Sequence, residues 1–230
     1  LPPRPHRLKW VSNSASMTLS VAAANLRVGD GAVGVPSRLI VHNGTVTMYA
    51  GNLGIPYAAD CTGEVLQTGG LVMDCNVVFS DNGAGVGTYA LTDGTLEPIQ
   101  VRKDTAAGTA VIRFDNAWLR PSLYTTNYAS FMSGLDVAEI KSGGLNIDGT
   151  MPVTIAQPLS GAGGITKVNS ETVSLTGQNT YAGDTWVQQG KLVLPTIQTN
   201  GASVLVADSA ELGVVCLGPN ASLTAGTLSL

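Results

Sequence analysis

Residues 159–194, LSGAGGITKVNSETVSLTGQNTYAGDTWVQQGKLVL, decide the fold. Only Lys167, Glu171, Asp184 and Lys191 carry charge in this stretch. β-Branched residues and Leu recur at every second or third position, in short runs that Gly, Asn, Ser or Gln interrupt. Such runs are too brief for helices and carry no 3.6-residue stripe. They read as short strands joined by tight corners.

The same texture extends outward over the chain. With 230 residues and 44% hydrophobic content there is enough material for one sizeable domain with a core. Only 12% of residues are charged and 28 are Gly, so Thr, Ser, Asn, Gln and Gly must make most of the surface, the palette of an extracellular β protein. A net charge of −4 and a pI near 5.0 supply no basic field, so no nucleic-acid partner is expected. No apolar run approaches the roughly 18 residues of a membrane helix, and no membrane insertion by this segment is expected.

Internal repetition sets the architecture. The pieces NGTVTM (43–48), GGLVMD (69–74), DGTLEP (93–98), NAWLRP (116–121), GGLNID (143–148), QGKLVL (189–194), SAELGV (209–214) and AGTLSL (225–230) each join a turn to a strand. Their apolar markers Val46, Leu71, Leu96, Leu119, Leu145, Leu192, Leu212 and Leu228 follow at gaps of 25, 25, 23, 26, 47, 20 and 16, and Ile165 divides the 47 into 20 and 27. A period in the low twenties is shorter than a propeller blade. It predicts an all-β parallel β-helix, or β-solenoid, of about ten coils, with strands stacked about 4.8 Å apart. Corners such as HNGT, TDGT, KSGG and SGAGG supply the turn chemistry.

Residues 1–20 are expected to form a basic, Pro-rich arm or cap that either dangles or wraps a neighbour, since LPPRPHRLKW cannot run as a central strand. Residues 21–230 form one solenoid domain, and 114–132 is expected to protrude as a loop. Because the chain lacks an initiator Met and shows no convincing signal segment, it is read as a piece of a longer precursor.

The opening stretch resembles the autotransporter-associated β-strand repeat, also called the passenger-associated transport repeat, of large secreted bacterial surface proteins. The segments LSGAGGITK (159–167), SLTGQNTYAGDT (174–185) and VQQGKL (187–192) follow that pattern in order and spacing. The sequence departs from it at 168–173, at Trp186 and at Lys191. The resemblance implies a right-handed coil and a location outside the cell or on the bacterial surface. It assigns structural roles to Gly161, Gly163, Gly164, Asn179, Tyr181, Gly183, Gly190 and Leu192, and implies no enzyme and no cofactor.

Residues for chemistry are sparse. Asp81, Asp93, Asp104 and Asp115 could line one edge with Arg102, Lys103 and Arg113, but SDNG, TDGT and FDNA are turn sequences, and turn residues are the simpler reading. His6 and His42 are distant from each other, and His42 is expected at an exposed corner. Neither a metal-ligand spacing nor a phosphate-binding loop occurs. Cys61, Cys75 and Cys216 are either small buried residues or, for Cys61 and Cys75, a disulfide closing one loop. The aromatic residues Trp118, Tyr124, Tyr128 and Trp186 are the candidate contacts for surface carbohydrate or protein, the alternative for the first three being a plug that packs the loop down. The expected function is non-enzymatic: a stiff structural or adhesive segment of a surface protein, continuous with the coils of a longer parent. The alternatives are a filament subunit stacking on itself end to end and, less favoured, a β-helical carbohydrate-active enzyme.

Overall fold

The computed structural model describes residues 7–10, 18–20, 25–29, 34–196, 203–219, 223 and 226–229. They form an all-β solenoid in which every strand pairing is parallel. Each turn of the N-terminal half has three sides. The first two belong to one sheet and the third to another, which holds nine strands among the described residues and is climbed in eight steps, giving about eight turns.

Alternation along each strand builds the core. On the second side, Val46, Val72, Leu96, Leu119, Ile147, Lys167, Val187 and Val206 are successive register partners, spaced by 26, 24, 23, 28, 20, 20 and 19 residues. On the third side the column runs Leu53, Val77, Val101, Met132, Ile155 and Leu175. These side chains, Val206 excepted, are buried, and on strands such as Ala117–Leu119, Leu145–Ile147 and Val153–Ile155 they alternate with partly exposed residues.

The markers read from sequence fall on this scaffold in three ways. Val46, Leu96 and Leu119 share one inward column, whereas Leu71 is paired with Thr45 and Thr95, one position before the buried Val72. Leu145 and Ile165 occupy a second column of the same side, continued by Thr185 and Val204. Leu192 and Leu212 pair with each other on the third side. The 27-residue interval from Ile165 to Leu192 therefore crosses from one side to another. The mean advance per turn is in the low twenties, as the sequence intervals suggested, and the described residues hold about eight such turns.

Turn length changes where the first side is lost. Thr109–Phe114 and Val137–Ile140 are its last regular strands, after which one bridge from Glu139 to Ser160 continues it. Beyond that, Thr180 and Ala182 donate main-chain hydrogen bonds to Leu159 and Gly161 without forming a strand, and the turn contracts to about 20 residues. Glycine makes this contraction fit: a Cβ on Gly163 would collide with the Lys141 carbonyl, and one on Gly183 with the Gly163 and Gly164 backbone of the preceding turn.

Two segments gain detail. Arg7–Trp10, within the stretch expected as a basic arm or cap, is a strand paired with Ser37–Val41 at the edge of the sheet, where a proline-rich flank is tolerated. Pro2, Pro3, Pro5 and His6 lie outside the described residues. Within 114–132, Ala117–Leu119 is a regular strand, and the excursion is confined to the stretch between Leu119 and Met132.

Leu145 and Leu192 are fully buried in different columns. Replacing either by Ala is expected to cost about 2–5 kcal/mol by chemical denaturation. A near-neutral result at both positions would contradict the inward register.

Candidate functional site

The four candidate aromatic residues separate into two places. Trp118 is the outward residue of Ala117–Leu119, between buried Ala117 and Leu119, and Trp186 is the outward residue of Thr185–Val187. Register places them in one column, in the order Thr95, Trp118, Asn146, Thr166, Trp186 and Leu205. Trp186 is 47% exposed and Trp118 is half-buried. Tyr124 and Tyr128 lie instead on the excursion beside the third side.

That excursion is tied down at its root and open at its tip. Ser122 Oγ donates to Asp74 at 2.7 Å and Thr125 Oγ1 donates to the Ile99 carbonyl at 3.1 Å, with Ser122 and Thr125 buried. Leu123 and Tyr124 project into solvent. Tyr128 sits in the 3-10 turn Tyr128–Ser130 and forms one wall of an open groove of about 180 Å³ lined by Ala129, Pro152, Val153, Thr154, Thr172 and Ser174.

A polar seam runs inside the C-terminal turns. Lys167 occupies the inward column between Ile147 and Val187 and is fully buried. Its ammonium donates to the Asn169 carbonyl at 2.6 Å and to the Gln189 carbonyl at 2.7 Å, joining two successive corners. Nearby in sequence, Asn179 Oδ1 accepts from the Leu159 main-chain N–H one turn back at 2.9 Å, and the buried Tyr181 hydroxyl meets Thr185 Oγ1 at 2.7 Å. In the longer turns, Tyr89 donates its hydroxyl hydrogen to Gln67 Oε1 at 2.6 Å, and Gln157 closes a two-way bond with the Leu135 backbone. Lys167 was legible by parity, since it stands two residues after the inward Ile165.

The acidic edge resolves mostly into turn chemistry. Asp93 accepts from the Gly94 N–H and Asp115 from the Gly143 N–H. Asp81 is raised above the usual carboxylate range by partial burial and then by the neighbouring Asp104, while Arg102 and Arg27 oppose the shift. Arg102 is paired with Asp104 at 2.7 Å, Lys103 with Asp136 at 2.8 Å, and Arg113 with Glu139 at 3.2 Å. Arg120 reaches both Glu97 and Asp148. Most of these ionic contacts span neighbouring turns at the surface, where each contributes little. Among the described residues, no group of three or more His, Cys, Asp or Glu is placed to hold a metal ion. His42, expected to be exposed, is half-buried with Nδ1 against Thr68 Oγ1.

No disulfide joins Cys61 and Cys75. Both are buried thiols at opposite ends of the strand Thr62–Met73. The first six residues of that strand alone carry the chain on the order of 20 Å from Cys61 before its bulge, and both thiols are free.

Burial lowers the Lys167 ammonium from 10.5 to about 8, with Glu171 pulling it upward. Between those values the unfolded chain holds one proton more than the folded one, so stability rises with pH across this window. The buried Cys75 thiol, held well above its ordinary 9.0 by burial and by Asp74, acts in the opposite sense above that pH. Wild-type stability in urea is therefore expected to rise from pH 8 to 9 relative to Lys167→Met. A pH-independent difference would show that the amine titrates as in water.

Against known proteins, the chain is similar to an extracellular serine protease of Serratia marcescens, 56% identical over 36 residues. The match takes in 16% of this chain and only 3% of that protein. No family model and no solved structure matches the chain.

Proposed function

We propose that this chain is a non-enzymatic spacer and display segment of a secreted bacterial surface protein, of the autotransporter-associated repeat type that residues 159–194 resemble. The observation that carries the reading is the continuous stack of strands, about eight turns among the described residues, in which inward columns on the second and third sides run from turn to turn. Such a body resists bending because any bend must open a ladder of main-chain hydrogen bonds and a packed core together. The similarity to an extracellular protein supports placement outside the cell. Surface cations held by carboxylates of neighbouring turns favour a structural over a catalytic use of the acidic edge.

A second reading, end-to-end self-assembly, would use the apolar side chains of the last described turn. Val214 and Val215 are 44% and 45% exposed there, and Leu217 and Leu228 are open as well. This surface suits another turn, supplied either by the same polypeptide or by a second copy.

Sedimentation velocity and small-angle scattering over a dilution series separate the two. A spacer gives a single elongated particle about 40 Å along the stack at every concentration, from eight steps of about 4.8 Å. Fibres that lengthen with concentration would transfer the function to assembly, and a spherical particle would overturn both.

A further inference from the structure

We infer that the outward column holding Trp118 and Trp186 is a binding strip for a neutral, extended polysaccharide lying along the solenoid axis. The column sits on the second side and presents Thr95, Trp118, Asn146, Thr166, Trp186 and Leu205 from six consecutive rungs. Three rungs separate the two tryptophans, about 14 Å at the usual strand spacing. Between them stand an amide and a hydroxyl instead of further apolar groups.

That alternation selects the occupant. An indole offers a flat, rigid surface to the apolar face of a pyranose ring at small entropic cost, with a polar N–H at its edge. Asn146 spends one N–H on the Ala117 carbonyl at 3.3 Å, which fixes the amide and leaves its oxygen as an acceptor for a sugar hydroxyl. The two platforms and the polar middle thus repeat along one straight line, as the rings and hydroxyls of an extended glycan do. A protein partner of the usual kind would call for a continuous apolar centre instead.

Charge points the same way. No residue in the column is ionisable, and beside it Arg120 is held between Glu97 and Asp148 while Asp184, an acceptor for the Ser203 N–H, remains an anion. An anionic polymer would meet no cation in the column and carboxylates beside it, whereas an uncharged polyhydroxyl chain meets no repulsion there. Two weak platforms on a rigid support reinforce each other only when one ligand is long enough to reach both.

The inference rests on reading the solenoid as a display surface, but it can fail while the spacer reading stands. The test is calorimetric titration of the whole chain with cellohexaose, xylohexaose and cellobiose. At least one hexasaccharide is expected to bind tenfold or more tightly than the disaccharide. Trp186→Ala, at an exposed position, should bring that hexasaccharide down to the disaccharide level. Thr166→Arg, which places a bulky charge between the platforms, should do the same, with thermal midpoints of both variants close to wild type. Absence of binding by both hexasaccharides, equal affinity for long and short sugars, or an unchanged Trp186→Ala would overturn the proposal. A self-associated state that Trp186→Ala dissolves would also overturn it, by making the strip a contact between copies.

Discussion

Each strand finds its hydrogen-bond partner in the same place one turn later, and the molecule is organised around that requirement. A parallel ladder leaves no choice of register once one inward residue is fixed, because a one-residue slip would send the whole buried column to solvent. Identity of position from turn to turn then matters more than identity of residue. Val, Leu, Ile and even Lys occupy the same inward column between Val46 and Val187. Several inner polar groups are held by backbone of neighbouring corners: the Lys167 ammonium, Asn179 through its Oδ1, and Gln157. A buried polar group without such a partner would destabilise the stack it belongs to.

The architecture was legible because solenoid turns repeat their chemistry locally. The Gly-rich corners and short β-branched runs carried it, and the stretch 159–194 carried it most clearly, since its glycines stand where a neighbouring turn's backbone leaves no space for a Cβ. What remained hidden was which side of the coil each run belongs to. Leu192 and Leu145 look alike in sequence, yet one lies on the third side and the other on the second. Period alone cannot separate these, because both sides advance by the same number of residues per turn. The same limit explains Trp118, whose nearness in sequence to Tyr124 and Tyr128 suggested one aromatic loop. A two-residue alternation, buried Ala117 and Leu119 about an outward Trp118, places it on a strand instead. Cys61 and Cys75 show the converse: a separation of 14 positions is short in sequence and long in space when an extended strand fills it.

The excursion between Leu119 and Met132 has a consequence for how such a chain diversifies. It lengthens one turn by about seven residues, from the 24 between Val77 and Val101 to the 31 between Val101 and Met132, yet Leu119 still pairs with Leu96 and Ile147, and Met132 with Ile155. Closing a longer loop between fixed ends costs only slightly more entropy as it grows. A corner of this kind is therefore a port where new sequence can be grafted or lost while the stack on both sides keeps its register. Variation in what the rod carries is uncoupled from variation in the rod.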